Sequence, residues 1–416
     1  MDYTMRPAPC ALAWYSVSMN RPVSTDEQKI DEVLSRGVTE VIVKDDLRKK
    51  LLSGERLRIK LGIDPTSPDL HLGRAVALLK MRDLQELGHQ AVFIVGDFTA
   101  VIGDTSDKEA ERPMLTREAV AHNEATYKEQ AGKLIELSAA EFHHNSEWLG
   151  ALTYAEIGEQ ADAFSVADFI ARDNIARRLE AGKRVSLREV LYPLMQGYDS
   201  VAVRSDVELG GTDQKFNLLA GRALQEKYGQ APQNIVMGPL LEGTDGRKMS
   251  SSWGNTITFA MTPSDMYGKI MSMRDEFIVR YFELCTRVPM TDVHEIEQTL
   301  EGGALHPKDA KMRLAREIVT IYHGAAEAQS AEESWATTFS EGGVPEGAPT
   351  VEVASGATLR DVLKDVAGSM SELRRLVDAR AVSEVGGRTF ETIDDTITQS
   401  ATIRIGKHRF LNVVVK

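Results

Sequence analysis

The chain has very little cysteine. Cys10 and Cys285 are its two cysteines in 416 residues, too few for a disulfide framework or a cysteine-rich zinc site. No apolar run approaches the roughly 18 residues that a membrane-spanning helix needs, so no membrane partner is expected. Positive charge is also scarce, because the net charge is −13. A globular protein of a reducing cytoplasm fits these absences, with any RNA contact confined to a local basic face.

The stretch from Leu57 to Asp104 predicts a βαβ unit. Leu57–Ile63 has the composition of a buried strand, and turn residues follow from Asp64 to Asp69. An amphipathic helix is predicted from about Leu70 to Leu87, and Ala91–Val95 is a second apolar strand. Strand, helix and strand in this order indicate a parallel sheet, in which ligands bind beyond the carboxyl ends of the strands.

Two polar stretches predict a phosphate site. His71 and Gly73 open the crossover helix, where backbone N–H groups and the helix dipole favour an anion. Taken alone, this stretch also fits a helix cap with an exposed His. The second stretch, Gly243–Ser252, is basic and rich in hydroxyls, as suits a loop that binds triphosphate oxygens. Its alternative is a solvated loop that contains a chance Lys.

Together, these stretches resemble the HIGH and KMSKS signatures of class I aminoacyl-tRNA synthetases. Between them lie Tyr192–Asp199 and Gly210–Gln214. The whole series is similar to the bacterial tyrosyl-tRNA synthetase family, from roughly Ser35 to the C-terminus. The resemblance implies an α/β fold: a Rossmann-like parallel-sheet catalytic domain with a helical insertion, a helical anticodon-side domain and a small α+β RNA-binding C-terminal domain.

The expected organisation follows from composition and from this resemblance. Residues 1–25 are expected to be a disordered extension, with Met19 as an alternative start. The other predicted parts are a catalytic domain (26–255) with a dimerisation insertion (about 116–190), a helical domain (256–340), a Gly/Pro linker (341–357) and an RNA-binding domain (358–416). Further strands are predicted at Val201–Val203 and Ile235–Met237, a loop after Val95, and an insertion that is almost wholly helical.

The implied reaction has two steps, tyrosyl-adenylate formation from tyrosine and ATP and then transfer of tyrosine to the 3′ end of tRNA(Tyr). The resemblance assigns catalytic roles to His71, Arg74, Lys248, Ser250, Ser251, Lys108 and Arg112, and ATP binding to Gly62, Asp64, His71, Gly73, Gly211, Asp213 and Lys248. Two positions depart from the family. Ser251 replaces the later signature lysine, and Arg74 stands where many members have His or Asn. Arg247 is the candidate substitute for the missing lysine.

The amino-acid pocket is predicted from helix spacing. Tyr192, Gln196 and Asp199 share one helix face, although a trio on the helix surface is the alternative. By resemblance, Asp199 accepts a hydrogen bond from the phenolic O–H, while Tyr192 and Gln196 hold the ammonium group together with Asp104. The remaining tyrosine-binding candidates are Thr99, Gln214 and Lys60. Some members have a second tyrosine for the phenol at the position of Lys60.

The C-terminal part is the candidate for the local basic region to which an RNA contact would be confined. From Thr358 onward there are 10 Lys and Arg against 8 Asp and Glu, a net of +2, which leaves −15 for the preceding chain. This part resembles an RNA-binding module, and a solvated charged helix is the alternative. The tRNA-binding candidates are Arg374, Arg375, Arg380, Arg388, Lys407 and Arg409.

The resemblance also implies the partners. ATP is expected as a substrate, with Mg²⁺, and neither a tightly bound cofactor nor a metal site of the protein itself is predicted. A cytoplasmic homodimer that binds tRNA(Tyr) and L-tyrosine is expected. Two other functions fit parts of the same pattern. A tryptophanyl-tRNA synthetase would share the fold and both signatures, and a nucleotidylyltransferase fused to an RNA-binding module would need no amino-acid pocket.

Overall fold

The predicted βαβ unit is present and lies in a larger sheet. The structure, a computed structural model, describes residues 22–104, 114–340, 349–363, 370–406 and 409–416. Two compact units are present: the first comprises the described residues up to Thr262 and Lys269–Tyr322, and the second comprises Pro263–Gly268 and the described residues from His323 onward. No helix in the described part of the chain has the length and apolar character needed to cross a membrane.

A six-stranded sheet lies in the first unit. Its strands are β1 (Glu40–Ile42), β2 (Arg58–Ile63), β3 (Gln90–Val95), β4 (Ala140–His144), β5 (Val207–Gly211) and β6 (Asn234–Gly238). Their order is β1-β6-β5-β2-β3-β4. Neighbouring strands are parallel except β1 and β6, which are antiparallel. Since β2 lies between β3 and β5, the carboxyl ends of these three central strands open on one edge.

Helices precede, connect and follow these strands in the chain. In chain order they are α1 (Glu27–Val33), α2 (Lys44–Leu52), α3 (Leu72–Glu86), α4 (Asp97–Ile102), α5 (Arg117–Glu124), α6 (Tyr127–Ala131), α7 (Ser146–Leu149), α8 (Tyr154–Ala161), α9 (Val166–Ile170), α10 (Asp173–Glu180), α11 (Leu187–Ala202), α12 (Lys215–Lys227), α13 (Pro263–Ser272), α14 (Ile278–Cys285), α15 (Met290–Glu301) and α16 (Pro307–His323). Short 3-10 turns occur at Leu137–Ala139, Thr212–Gln214, Ser251–Trp253 and Asp275–Phe277.

Three local predictions in the first unit are wrong. The insertion is not wholly helical, because β4 extends the sheet beside β3. Val201–Val203 is not a strand: α11 continues through Ala202, and Val201 and Val203 are buried in an apolar cluster with Trp148 and Leu224. The strand follows as β5. The loop predicted after Val95 contains helix α4.

The second unit contains its own sheet and core. Its elements are α17 (Ala325–Ser340), β7 (Thr350–Val353), β8 (Ala357–Thr358), α18 (Leu359–Leu363), α19 (Met370–Asp378), β9 (Val382–Glu384), β10 (Thr396–Ile397), β11 (Ala401–Ile405) and β12 (Arg409–Val415). The larger sheet has the order β7-β12-β11-β9. Leu359, Phe390 and Ile403 lie in an apolar core built from residues beyond the predicted linker's Gly/Pro stretch.

Two predicted boundaries differ from these units. β7 lies within 341–357, predicted as linker, because Val351 and Val353 pack against the C-terminal core. The helices within Lys269–Tyr322 belong to the same unit as the six-stranded sheet, so a separate helical domain at 256–340 stays a prediction. Most of the N-terminal extension (1–21) and most of the Gly/Pro stretch (341–348) lie outside the described residues.

Candidate active site

A cleft of about 500 Å³ opens at the carboxyl ends of β2, β3 and β5. Both predicted signatures and the predicted amino-acid pocket line it. The predicted site residues on its wall are Gly62, Asp64, His71, Gly73, Arg74, Thr99, Asp104, Tyr192, Gln196, Asp199, Gly211, Asp213, Gln214, Lys248, Ser250 and Ser251. Lys60 is not on the wall, and Lys108 and Arg112 lie outside the described residues.

The first signature holds a neutral histidine at the start of α3. His71 is the N-cap residue, and the backbone on either side of it pairs with Ile257 and Phe259. Burial, with Arg74 and Lys248 nearby, lowers the pKa of His71 to about 3. Its Nδ1 atom is buried and has no hydrogen-bond partner among the described residues. The neutral ring is therefore held in place and retains hydrogen-bonding capacity.

Gly73 is required by the close approach of the second signature. A Cβ atom at this position would lie 3.0 Å from the His71 ring and 3.5 Å from Cβ of Met249. The Gly73 N–H points to Sδ of Met249 at 3.3 Å. A side chain here would push the two signatures apart, so Gly73 keeps the nucleotide side of the cleft narrow.

The second signature is a loop held by side-chain hydrogen bonds. Asn255 accepts from the Ser250 N–H at 2.9 Å and donates to Asp245 at 2.7 Å. Ser251 reaches across the cleft to Ser67, with 3.1 Å between the two hydroxyl oxygens. These bonds hold the loop against the first signature without using the ammonium group of Lys248.

The cations of this loop differ in orientation. Lys248 forms an ion pair with Asp213 at 2.8 Å, at the edge of the cleft. Arg247 pairs with Asp245 at 2.5 Å and stacks over the ring of Trp253 at 4.7 Å, and it does not line the cleft. Arg74, by contrast, lies on the cleft wall. The geometry thus favours Arg74, not Arg247, as the cation that accompanies Lys248.

Asp64 lies at the end of β2 between two hydroxyl groups. It accepts from Tyr192 and from Thr99, each at 2.7 Å. Burial raises the pKa of Asp64 to about 6, against these two hydrogen bonds, and the nearby Asp104 adds to the rise. Asp64 is therefore hydrogen-bonded to two of the predicted tyrosine-binding residues, Tyr192 and Thr99.

Asp199 is the buried carboxylate of the pocket. It accepts from Nε1 of Trp148 at 2.8 Å and from Nδ2 of Asn145 at 3.3 Å. Burial raises the pKa of Asp199 to about 7, although Lys60 and these hydrogen bonds oppose the rise. The charge of Asp199 is therefore sensitive to pH in the neutral range.

Asn145 and Trp148 were missed by the sequence argument. Asn145 follows β4 and Trp148 lies on α7, in the segment interpreted as a helical dimerisation insertion. Asn145 also donates to Thr99 at 2.9 Å, so it links two of the predicted tyrosine ligands. The available signal was a strand-like Phe142-His143-His144 followed by an Asn-Ser turn pair.

A chain of amides connects the other tyrosine-binding candidates. Gln214 donates to Asp104 at 2.7 Å. Asn217, which was not predicted, donates to both Gln196 and Gln214, at 3.0 and 3.1 Å. Gln196 and Asp104 are thereby oriented through the first turn of α12.

Lys60 does not line the cleft. Its side chain is fully buried, and Nζ forms an ion pair with Glu208 at 2.8 Å. It also donates to Ser200 and to the carbonyl of Gln196. The prediction that Lys60 binds tyrosine directly is wrong, because these three acceptors occupy its three N–H donors.

The tRNA-binding candidates lie in the second unit. Arg374 and Arg375 are exposed on α19, and Arg380 is exposed just after it. Arg388 pairs with Glu384 at 3.0 Å and stacks on Phe390. Arg409 begins β12, and Lys407 lies outside the described residues. Arg374, Arg375, Arg380 and Arg388 are therefore all exposed to solvent.

The fold and the cleft together define a nucleotide-binding α/β enzyme with a buried amino-acid pocket. The family model for class I tRNA synthetases (W and Y) matches residues 52–340. The chain belongs to this family, as the resemblance in the sequence predicted.

Relatives and solved structures agree with this placement. The chain is similar to the tyrosine–tRNA ligase of Dehalococcoides mccartyi, with 45 % identity over 393 residues that cover 93 % of this chain and 99 % of that protein. The corresponding ligase of Thermotoga maritima is 43 % identical over 394 residues, covering 94 % and 98 %. The Archaeoglobus fulgidus tyrosyl-tRNA synthetase, solved in complex with L-tyrosine, has a TM-score of 0.59 at 23 % identity, covering 74 % of this chain and all of that one. At this identity the likeness concerns the fold.

Proposed function

We propose that this chain activates L-tyrosine with ATP and transfers it to tRNA(Tyr). Buried Asp199 carries the proposal, because it lies on the same helix as Tyr192 and Gln196 and faces the cleft. A buried carboxylate suits a substrate that ends in a hydroxyl donor. The similarity to tyrosine–tRNA ligases over nearly the whole chain supports tyrosine over tryptophan, and a nucleotidylyltransferase would have no use for this pocket.

Adenylate formation is an in-line displacement. A tyrosine carboxylate oxygen attacks the α-phosphorus of ATP, and the bond to the bridging oxygen breaks to release pyrophosphate. The protein supplies position and charge. Lys248 and Arg74 neutralise the negative charge of the pyrophosphate, with Lys108 and Arg112 assigned to the same role by resemblance. The hydroxyl groups of Ser250 and Ser251 donate hydrogen bonds to the pyrophosphate oxygens.

Binding of ATP exchanges one partner of Lys248 for another. In the structure Lys248 is paired with Asp213, whose assigned ligands are the ribose hydroxyls. Once the ribose takes up the Asp213 carboxylate, the ammonium group of Lys248 can turn to the phosphates. In the second step the 3′-terminal ribose hydroxyl of the tRNA attacks the tyrosyl carbonyl, its proton is lost and AMP leaves.

ATP is proposed to enter as its magnesium complex. Mg²⁺ in nucleotide sites is held mainly by substrate phosphates and by one or two carboxylates. Within the described ranges, no cluster of three or more His, Cys, Asp or Glu side chains is arranged to hold a metal ion. Asp69 and Asp213 on the cleft wall are carboxylates of the kind that such a complex uses. Because charged tRNA is consumed by translation, the proposed location is the cytoplasm.

The test is tyrosine-dependent exchange of pyrophosphate into ATP. Exchange with tyrosine, and neither with tryptophan nor without an amino acid, is the expected result. Exchange with tryptophan alone would favour the tryptophan enzyme, and exchange without any amino acid would favour a nucleotidylyltransferase. Charging of tRNA(Tyr) with labelled tyrosine then tests the second step.

Replacement of His71 with Ala should slow adenylate formation and leave tyrosine affinity nearly unchanged. The neutral ring offers a fixed hydrogen-bond donor on the nucleotide side, and loss of such a donor costs about 3–4 kcal/mol of transition-state stabilisation. Because the pKa of His71 is about 3, its contribution should not change between pH 5 and pH 8. Exchange rates and equilibrium tyrosine binding are the measurements. His71→Asn, which keeps an N–H donor, is the matched control and should recover part of the rate, whereas equal exchange rates in all three proteins would exclude His71 from the reaction.

A homodimer is proposed through the insertion. Apolar side chains are exposed along it, with Tyr154 95 % and Val166 69 % exposed and with Ile170, Leu179 and Leu187 also on the surface. Exposed apolar groups concentrated in one segment mark an interaction surface. Sedimentation should give a dimer for the wild type and a monomer for Val166→Glu combined with Leu187→Glu. Val414→Glu in the C-terminal sheet is the control and should remain dimeric. A wild-type monomer, or a dimer that survives the double change, would contradict the proposal.

A further inference from the structure

A fully buried ion pair lies directly beneath the amino-acid pocket. Lys60 of β2 and Glu208 of β5 are side by side in adjacent parallel strands, and their side chains are 0 % and 1 % exposed. Their charged groups are 2.8 Å apart. Neither side chain lines the cleft, so the pair cannot touch the substrate.

Both charges have a full set of hydrogen bonds. Lys60 donates to Ser200 at 2.7 Å and to the Gln196 carbonyl at 2.9 Å, in addition to Glu208. Glu208 also accepts from Ser200, Gln196 and Gln233. Removing two charges from water is expensive, and an apolar pair of equal volume is often as stable or more so. Stability alone therefore does not explain why this pair is at the centre of the sheet.

The partners of the pair belong to the tyrosine site. Gln196 is held at both ends, since its carbonyl accepts from Lys60 and its side-chain amide donates to Glu208 at 3.3 Å. Ser200, which bonds to both charges, follows Asp199 in the chain. The pair is thus hydrogen-bonded to the turn of α11 that contains Gln196 and Asp199, both of which line the cleft.

We propose that Lys60 and Glu208 are positioning residues for tyrosine recognition: Lys60 keeps the buried Asp199 ionised so that it can accept a charge-assisted hydrogen bond from the phenol, and the pair together orients Gln196. This inference rests on the proposed function. Lys60 would then affect recognition of the phenol indirectly, through Asp199. Some family members carry a tyrosine at the position of Lys60.

The electrostatics around Asp199 support this role. The titratable and charged groups near it are Lys60 on β2, Glu208 on β5, Tyr192 on α11, Asp64 beyond Thr99, and His143, whose ring lies 5.8 Å from that of Trp148. Burial raises the pKa of Asp199, Lys60 lowers it, and Glu208 raises it by a smaller amount. Without Lys60, the carboxylate would take up a proton at a higher pH, and the charge-assisted hydrogen bond to the phenol would be lost there.

The measurement is the ratio of kcat/KM for tyrosine to kcat/KM for phenylalanine in pyrophosphate exchange, from pH 5.5 to pH 9. Effects of pH that are common to both amino acids cancel in this ratio. In the wild type the ratio should fall as the pH decreases through about 7, the pKa of Asp199, because a protonated Asp199 no longer penalises phenylalanine for leaving a charge unpaired. Lys60→Met should move this midpoint upward by about one pH unit or more. Its defect should therefore be large at pH 7 and small at pH 9.

A double variant separates recognition from folding. Lys60→Met leaves Glu208 buried without a partner, which destabilises the protein, whereas Lys60→Met with Glu208→Gln removes both charges and should regain stability. Its midpoint should still exceed that of the wild type, because the influence of Lys60 on Asp199 is greater than that of Glu208. Lys80→Met is the matched control, since Lys80 is another buried lysine, with Nζ bonded to the carbonyls of Val33 and Arg36 outside the cleft. It should lower thermal stability and leave the midpoint unchanged.

The outcomes are distinct. A wild type that shows no tyrosine-dependent exchange refutes the proposed function. If the wild type is active and the double variant has the wild-type midpoint, Lys60 does not control the charge of Asp199. A defect of equal size at every pH would identify the pair as structural only and would equally overturn the inference.

Discussion

Asp199→Ala should remove most of the discrimination between tyrosine and phenylalanine. In the proposed site, phenylalanine would bury the Asp199 carboxylate, which already accepts from Trp148 and Asn145, without supplying a phenol hydrogen bond to it. Sites that hydrogen-bond a substrate hydroxyl reject the analogue that lacks it by about 10⁴–10⁵, a scale for which tyrosyl-tRNA synthetases are themselves the reference case. Pyrophosphate exchange with each amino acid measures the ratio of kcat/KM values.

Two further variants make this experiment decisive. Asp199→Asn keeps an acceptor oxygen for Trp148 and removes the charge, so it should also discriminate poorly while remaining folded. Asp206→Asn is the control, because Asp206 is a carboxylate of the same unit that accepts from the Arg58 N–H at 2.8 Å and does not line the cleft. Should Asp199→Asn still reject phenylalanine as the wild type does, another group would have to read the phenol.

A chain that ends at Gly342 should retain adenylate formation and lose most tRNA charging. The cleft-lining residues all precede Ser252, and the C-terminal core, with Leu359 and Ile403, draws on residues beyond the cut. Helix α17 is kept because its Trp335 contacts Tyr267. The removed part, 343–416, has 10 Lys and Arg against 10 Asp and Glu and includes the exposed Arg374 and Arg375, whereas the retained part carries the whole net charge of −13. Charging at about 0.15 M salt should therefore fall roughly tenfold or more through lost phosphate contacts.

A full-length variant controls for the truncation. Arg374→Glu combined with Arg375→Glu changes two exposed side chains on α19 and leaves the C-terminal core intact. It should impair charging and not adenylate formation. In the wild type, charging should decrease with added salt more steeply than pyrophosphate exchange does. Normal charging by the truncated chain would mean that tRNA is bound elsewhere.

The central fold could be predicted because its signals are local. The strand, helix and strand from Leu57 to Val95 alternate between apolar and turn residues within one short stretch, and the observed β2, α3 and β3 match them to within about two residues. The spacing of Tyr192, Gln196 and Asp199 is also a local signal, and all three lie on helix α11 as predicted. Local patterns of this kind reflect burial on one side of a single element.

The missed parts of the fold depend on partners distant in the chain. β4 is an edge strand in which Glu141, His143 and His144 replace the apolar alternation of a central strand, as protected edges do. β5 contains a Glu and two Gly, so its sequence has a weak strand signal. Glu208 can be buried in this strand because it forms an ion pair with Lys60 of β2. The β-branched Val201 and Val203 have the stronger strand propensity, but packing against Trp148 keeps them at the end of α11.

Separation along the chain also limited how much of the site could be predicted. Asp199 was found from helix spacing, whereas its donors Asn145 and Trp148 come from another segment that only the sheet brings close. Lys60 was identified by its alignment with a tyrosine-bearing position, and its actual partner, Glu208, carries no motif. Sequence patterns identify the groups that meet the substrate more readily than the groups that hold them.

The separation of Lys60 from Glu208 has a consequence for synthesis on the ribosome. About 150 residues divide them, and at about 5–20 residues per second the partner strand emerges about 7–30 s after β2. During that interval β2 lacks its neighbour β5, and the ammonium group of Lys60 remains hydrated instead of entering the core. The amino-acid pocket therefore forms only after the whole insertion has been translated. Free tyrosine binds only when α11 packs against a sheet that contains both β2 and β5. It therefore cannot stabilise a shorter nascent chain.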